Sequence, residues 1–119
     1  KALLLNTMTQ SYYYLNLAIP YRENGQNEKA IEATKKAMSG TPDNIVLNLT
    51  LAVSYISLDQ AEEARKYVQE ILRINPGFSL ENHANVLPYK NQERLDKYIN
   101  ALRKAGLTEQ YHKVFDTRK

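Results

Sequence analysis

The amino-acid sequence predicts an all-α fold, built as a stack of antiparallel helix pairs. The first observation is a repeat, because Pro42 and Pro76 are separated by the period typical of helical hairpin arrays, about 34 residues. The second is the composition, since 43% hydrophobic and 24% charged residues, with four Gly and four Pro, are usual for an ordered domain. The third is a set of residues that recur at the same offset, namely Leu17 and Leu51, Ala18 and Ala52, Tyr21 and Tyr55, Glu28 and Glu62, and Ala30 and Ala64.

The N-terminal segment is predicted to consist of two parts. Residues 1–10 are rich in apolar side chains and carry no helix start, which indicates the end of the second helix of a preceding unit. Residues 11–44 form the first complete unit, repeat 1, and its first helix contains Pro20. Because proline lacks an N–H, it removes the hydrogen bond to the carbonyl of Asn16, and a bend in this helix is expected.

Signals for the start and end of helices recur through the rest of repeat 1 and through repeat 2, residues 45–78. Asn27 is a candidate cap for the second helix of repeat 1, whose apolar residues have helical spacing. In repeat 2, Asp59 and Glu62 have the spacing of a capping box, and Pro76 lies just beyond the helix that follows. The two repeats are therefore predicted to be equivalent hairpins.

The register of the repeat is lost after residue 78. Residues 79–107 are predicted to form a divergent capping pair of helices, since the last unit of an array must turn one face to water. Ser79 and Asn91 are candidate N-caps of these helices, and Gly106 is expected to end the second one. Residues 108–119 form a tail with apolar residues at helical spacing, which is expected to cover the inner face or to exchange with a neighbouring chain.

The recurring residues resemble the signature of the tetratricopeptide-repeat (TPR) family. Each unit shows a Leu-Ala-x-x-Tyr run in its first helix, then an Ala in its second helix, and then Pro. Small residues at these positions let two helices approach closely, and a bulkier side chain would overpack the contact. Thr34 and Val68 depart from the family pattern, since a bulky aromatic residue is usual there. The resemblance covers residues 11–78 and implies a TPR-like fold that binds proteins and has no catalytic activity.

The C-terminal part is similar to the closing segment of TPR regions in bacterial class III adenylate and guanylate cyclases. The similarity rests on residues 76–79, 87–89 and 102–107. The chain begins with Lys instead of Met, and we expect it to be a piece of a longer protein. The resemblance implies the C-terminal regulatory part of a signalling protein, in which a preceding domain would hold any cyclase activity.

A stripe of mainly apolar residues along the first helix of each repeat is the candidate binding surface. In stacked hairpins the first helices line the concave side, and these side chains are therefore expected to face a groove. The same helices have a second apolar face for their partner helices, and two apolar faces require two burial partners. The stripe is predicted to be covered by the terminal helices, by another copy of the chain, or by an apolar helix or peptide of another protein. It consists of Tyr12, Leu15, Ile19, Arg22, Val46, Leu49, Val53 and Ile56.

Several classes of function lack support in the sequence. We find no catalytic or cofactor-binding motif, and His83 and His112 lack the neighbouring ligands that a metal site requires. No stretch approaches the ~20 apolar residues of a membrane helix. The absence of Cys suits a reducing compartment, and a cytoplasmic location is expected. The chain is therefore predicted to be a non-enzymatic protein without a cofactor.

Two alternatives to protein binding stay open from the sequence. The net charge is +3, and residues 89–119 carry eight cationic and four anionic side chains, an excess that could bind anions or nucleic acid. Nucleic acid is the less favoured ligand, because the charges are interspersed instead of clustered. The chain could also be a passive spacer. The cations of the predicted last helix, and of the segment just before it, are Lys90, Arg94, Lys97, Arg103 and Lys104.

Overall fold

The computed structural model describes residues 2–87 and 89–107, and within these ranges the side chains from residue 13 onward. These residues form helices and connecting turns and contain no strand. The prediction of an all-α fold is confirmed. The helices are α1 (Ala2–Glu23), α2 (Asn27–Met38), α3 (Ile45–Ser57), α4 (Ala61–Ile74), α5 (Leu80–Val86) and α6 (Gln92–Ala105).

The helices pair as two hairpins that stack on each other. Helix α1 packs against α2, α3 packs against α4, and α2 joins the hairpins by packing on α3. The four alanines that recur at the repeat offset, Ala18, Ala30, Ala52 and Ala64, are all fully buried. A side chain of one carbon lets the backbones of two helices approach closely, and this is the physical basis of the repeat.

Helix α3 lies at the centre of the molecule and is buried on every side. All nine residues from Leu47 to Tyr55 are buried. The reason is that α3 contacts α1, α2, α4 and α6. Most of these residues are apolar, as is usual for a helix with neighbours all around, and the three buried polar ones are Asn48, Thr50 and Ser54.

Helix α1 differs from the boundary that the sequence predicted. We expected residues 1–10 to belong to an earlier helix, but α1 continues without a break from Ala2 to Glu23. No Gly or Pro occurs between residues 2 and 19, so nothing in this segment interrupts the hydrogen-bond pattern of a helix. Pro20 does not split the helix either, because it lies in the last turn and its carbonyl still accepts a bond from the Asn24 N–H at 3.0 Å.

The turns within the two hairpins are built alike, in a way that the capping predictions missed. Gly25 and Asp59 stand one repeat period apart, and both have left-handed backbone angles, with φ of 79° and 60°. In each turn the N–H of the next residue bonds back to a tyrosine carbonyl, Gln26 to Tyr21 at 2.8 Å and Gln60 to Tyr55 at 2.9 Å.

This arrangement is a Schellman motif, which ends a helix, and it explains why two predicted N-caps were wrong. Asp59 terminates α3 and does not begin α4. Asn27 is the first residue of α2. The N-cap residue of this helix is Gln26, whose side chain makes no capping hydrogen bond.

The predicted caps of the last two helices are confirmed. The Ser79 hydroxyl accepts the N–H of Asn82 at 3.3 Å, and the Asn91 side chain accepts the N–H of Arg94 at 3.1 Å. Gly106 ends α6 with φ of 121°, in the left-handed region that favours glycine.

The terminal pair, α5 and α6, completes the core from the inner side. Helix α6 lies against α3 and also reaches α4, whereas the short α5 packs on α6. Four residues of α6 join the buried cluster, and α3 supplies its largest share. The α6 residues in the cluster are Tyr98, Ile99, Leu102 and Ala105.

Candidate protein-binding surface on the inner face

The predicted stripe is divided by the terminal pair into covered and open parts. Leu49 and Val53 are buried, with 1% and 6% of their surface exposed, because α6 lies over this side of α3. Val46, at the start of α3, is 45% exposed. Leu15, Ile19, Arg22 and Ile56 are partly buried, and the side chain of Tyr12 lies outside the described residues.

Four stripe residues come together in one cavity, which we call the inner pocket. Its volume is about 290 Å³, at the lower end of the range for ligand pockets. It lies between α1, α3 and the terminal pair, and most of its walls are apolar side chains. The lining residues are Ile19, Arg22, Glu23, Val46, Leu49, His83, Leu87, Tyr89 and Tyr98.

A second cavity of about 480 Å³, which we call the basic cavity, lies beside the inner pocket. The two share Arg22, Glu23 and Tyr98 as a common wall. The stripe residue Val53 faces this second cavity, whereas Leu15 and Ile56 line neither. The residues that line the basic cavity are Arg22, Glu23, Gly25, Asn27, Val53, Ser57, Arg94, Lys97, Tyr98 and Ala101.

Arg22 joins three elements in the wall between the cavities. Its guanidinium donates to the hydroxyl of Thr50 on α3 at 3.2 Å, to the carboxylate of Glu23 at 2.9 Å, and to the hydroxyl of Tyr89 at 3.3 Å. The guanidinium carbon also lies 4.6 Å from the ring centre of Tyr98, the distance of a cation–π contact. Only 9% of the Arg22 side chain is exposed, so these partners replace the water that it loses.

Glu23 supplies the negative charge of this wall. Its carboxylate accepts the hydroxyl of Tyr89 and lies 3.5 Å from the guanidinium of Arg94 on α6. Burial of the carboxylate favours its protonated form, but the hydrogen bonds from Tyr89 and Arg22 and the charges of Arg22 and Arg94 outweigh that effect. The pKa of Glu23 is therefore lowered, and an ionised Glu23 ties α1 to the terminal pair at neutral pH.

His83 and Tyr98 form the uncharged side of the inner pocket. His83 Nε2 and the Tyr98 hydroxyl are 3.0 Å apart, and both rings are tilted against each other. Burial, and then the nearby charge of Arg22, lower the pKa of His83. Burial raises the pKa of Tyr98 to about 12. Both side chains are therefore neutral near pH 7, and the pocket gains no charge from them.

Sequence reasoning identified Arg22 but missed the groups that hold it. Thr50, Glu23 and Tyr89 were not assigned to the site, although Tyr89 lies 34 residues after Tyr55, in the segment between α5 and α6. That offset was the one signal that could have pointed to Tyr89. The bonds from Tyr89 to Arg22 and Glu23 span 67 and 66 residues, and no periodic pattern predicts such contacts.

The described residues show no helix that is both long and apolar enough to cross a lipid bilayer. Within the same part of the chain, no three His, Asp or Glu side chains lie close enough together to hold a metal ion. The candidate surface consists of the apolar inner pocket and the charged wall formed by Arg22 and Glu23.

Stacked helical hairpins with a pocket on their concave side define the class of helical-repeat docking scaffolds. The family model described as Tetratricopeptide repeat matches residues 21–83, which is more than half of the chain. The chain belongs to the tetratricopeptide-repeat family, as its repeated residues indicated.

Two curated proteins illustrate what the chain is similar to. The TPR repeat-containing protein YpiA of Bacillus subtilis (strain 168) is 28% identical over 89 residues, which cover 75% of this chain and 21% of that protein. Putative adenylate cyclase 3 of Rhizobium meliloti (strain 1021) is 38% identical over 45 residues, 38% of this chain and 8% of the cyclase. The matches thus span about a fifth of the first relative and less than a tenth of the second.

Proposed function

We propose that the chain is a non-catalytic scaffold that docks a partner protein by receiving an apolar side chain in the inner pocket. The observation that supports this most directly is the open apolar surface at the mouth of the pocket. Val46 is 45% exposed there, close to the apolar Ile19 and Leu87. An apolar concave surface that faces water gains free energy when a partner covers it.

The form of the pocket favours a protein side chain as its occupant. Its volume of about 290 Å³ is small for enclosing a cofactor, and it is open to one side. An amphipathic helix that places its apolar residue into such a groove is a common mode of peptide recognition. Helix α6 already occupies the neighbouring part of the inner face, over Leu49 and Val53, and so provides an example of a helix seated on this surface.

We further propose that this scaffold is the C-terminal regulatory part of a bacterial signalling protein such as a class III nucleotide cyclase. The 38% identity to 45 residues of putative adenylate cyclase 3 supports this assignment. In such a protein the chemistry would belong to another domain, and the scaffold would bring a partner or a second copy to it. The cytoplasmic location remains a prediction from the absence of Cys.

The proposal is tested by selecting a displayed library of random helical peptides, each of about 16 residues, against the whole chain. We expect peptides with a bulky apolar anchor, whose affinity falls about tenfold or more when Val46→Glu places a charge in the pocket mouth. Val46 lies in the first turn of α3, where a carboxylate is compatible with the helix dipole, so this variant should fold normally.

The matched control is Val86→Glu, on an α5 residue that is 76% exposed and lines neither cavity. Its peptide affinity should equal that of the unchanged chain. Failure to select any peptide, or selected peptides that bind Val46→Glu as well as they bind the original, would contradict the proposal.

Binding of nucleic acid by the basic segment is the second candidate, and the described structure favours it less. Arg94 and Lys97 line the basic cavity, whereas Arg103 lines a different cavity together with Glu81 and Asp96. The cations therefore do not form one continuous track for a phosphate backbone. Binding of a labelled DNA duplex that falls steeply with added salt would support this candidate, and a passive spacer would bind neither duplex nor peptide.

A further inference from the structure

The inner pocket and the basic cavity are neighbours of unlike chemistry. They share the wall formed by Arg22, Glu23 and Tyr98, so one extended ligand can reach both. The inner pocket offers apolar walls from α1, α3 and the segment that ends α5. The basic cavity brings in two further cations, both from α6, namely Arg94 and Lys97.

The charges around the basic cavity do not balance. Three cations line it, Arg22, Arg94 and Lys97, against the single carboxylate of Glu23. Glu23 already pairs with Arg22 at 2.9 Å and with Arg94 at 3.5 Å. Lys97 makes no ion pair within the part of the chain that the structure describes, and its side chain is exposed at the cavity. The cavity therefore has an excess of positive charge that an incoming carboxylate would neutralise.

We propose that the scaffold selects acidic partners, in which an apolar side chain enters the inner pocket and a neighbouring Asp or Glu meets Lys97 and Arg94. This inference rests on the proposed docking function and adds the chemistry of the partner. Lys97 and Arg94, the two cations that would meet the carboxylate, belong to α6. The stripe on the first helices of the repeats is mainly apolar. Helix α6 thus contributes selectivity in addition to covering the core.

The same geometry disfavours a nucleic acid as the occupant. The carboxylate of Glu23 lies in the wall of both cavities and repels any anion placed beside it. A single peptide carboxylate can bind at Lys97, which makes no ion pair with Glu23, whereas a row of phosphates would also have to pass Glu23. Two additional cations also make a short site, whereas binding to a duplex draws on a longer track of phosphate contacts. A peptide with one carboxylate beside an apolar anchor fits both cavities at once.

The test uses the whole chain and the helical peptides selected from the random library. We expect enrichment of Asp and Glu near the apolar anchor. For the tightest peptide, Lys97→Glu should weaken binding about fivefold, with the larger loss at about 50 mM salt than at about 300 mM salt. Lys104→Glu is the matched control, since it makes the same charge change on the same helix at an exposed residue outside both cavities, and it should alter binding less than about twofold.

The outcomes separate this inference from the docking function itself. Peptides that depend on Val46 but are not enriched in acidic residues, or that respond equally to Lys97→Glu and Lys104→Glu, would overturn acidic selectivity and leave docking intact. A labelled DNA duplex that loses binding in Lys97→Glu, together with peptides that do not, would overturn it in favour of nucleic acid. Absence of any selected peptide would overturn both proposals.

Discussion

Arg22 shows how one residue can change the role of a repeated position. One repeat period later, the second hairpin carries the apolar Ile56 in its place. A guanidinium that is 9% exposed would be strongly unfavourable without partners, but Glu23, Thr50 and Tyr89 satisfy it. Arg22 therefore converts part of an apolar stripe into a polar joint between the first hairpin and the terminal pair.

Replacement of this residue by a side chain of similar length should test that role. We expect Arg22→Met to lower the free energy of unfolding by roughly 2 kcal/mol, because Thr50 and Tyr89 lose a buried partner and Glu23 loses its closest cation. Urea unfolding followed by circular dichroism measures this quantity. The control is Arg73→Met, whose ion pairs with Asp43 and Glu70 lie on the surface, are screened by water, and should contribute much less to stability. If the two variants lost the same free energy of unfolding, the contacts of Arg22 would not connect the first hairpin to the terminal pair.

The stability of the two hairpin turns depends on one residue in each that has a left-handed backbone conformation. Gly25 and Asp59 occupy the same position of the Schellman motif in successive repeats, and both have positive φ. Glycine adopts this conformation without a steric penalty, whereas Asp carries a Cβ that opposes it. The second hairpin therefore folds with a less favourable turn than the first.

A reciprocal exchange of these residues isolates the backbone effect. We expect Asp59→Gly to raise the free energy of unfolding by about 0.5–1 kcal/mol, and Gly25→Asp to lower it by a similar amount. A Cβ at Gly25 would meet no atom within 4 Å, so the second change carries no packing penalty. Urea midpoints of the two variants and the unchanged chain provide the measurement. A loss of stability in Asp59→Gly would mean that the Asp side chain stabilises the turn by more than its backbone strain costs.

At the scale of the whole molecule, the terminal pair is part of the core and not an appendage. Leu102 on α6 is fully buried, and α6 covers Leu49 and Val53 on the central helix. The inner face of repeat 2 is thus partly covered by α6, while the pocket beside Val46 stays open. Among the described residues, this division limits the open apolar part of the stripe to the pocket beside Val46.

Shortening of Leu102 should therefore affect the entire fold. We expect Leu102→Ala to lower the free energy of unfolding by about 2–4 kcal/mol and to increase the binding of a dye specific for apolar surface, because the contact of α6 with α3 weakens. Leu72→Ala is the matched control on α4, where the side chain is 39% exposed, and should cost less than about 1 kcal/mol. If the Leu102→Ala loss were no larger than that of the control, the terminal pair would not be integral to the core.

The repeated residues made the hairpins predictable from the sequence. Ala18 and Ala30 recur one period later as Ala52 and Ala64 because two helices cross at each of them, and their complete burial follows from that packing. The caps at Ser79 and Asn91 were predictable for a similar reason, since a cap depends on a bond to a nearby N–H in the first turn. The predicted start of α4 failed at Asp59, because the same polar residue type serves an N-cap and a left-handed helix end.

The composition of the site depended on contacts that sequence periodicity does not encode. Helical spacing grouped Ile19, Arg22, Val46 and Leu49 on the inner face, because residues three and four apart share one side of a helix. Which of them are covered was decided by the packing of α6, and the partners of Arg22 lie as far as 67 residues away. Local spacing thus specified the hairpins and the inner face, whereas the folded arrangement alone specified the pocket, since a cavity is formed where distant elements meet.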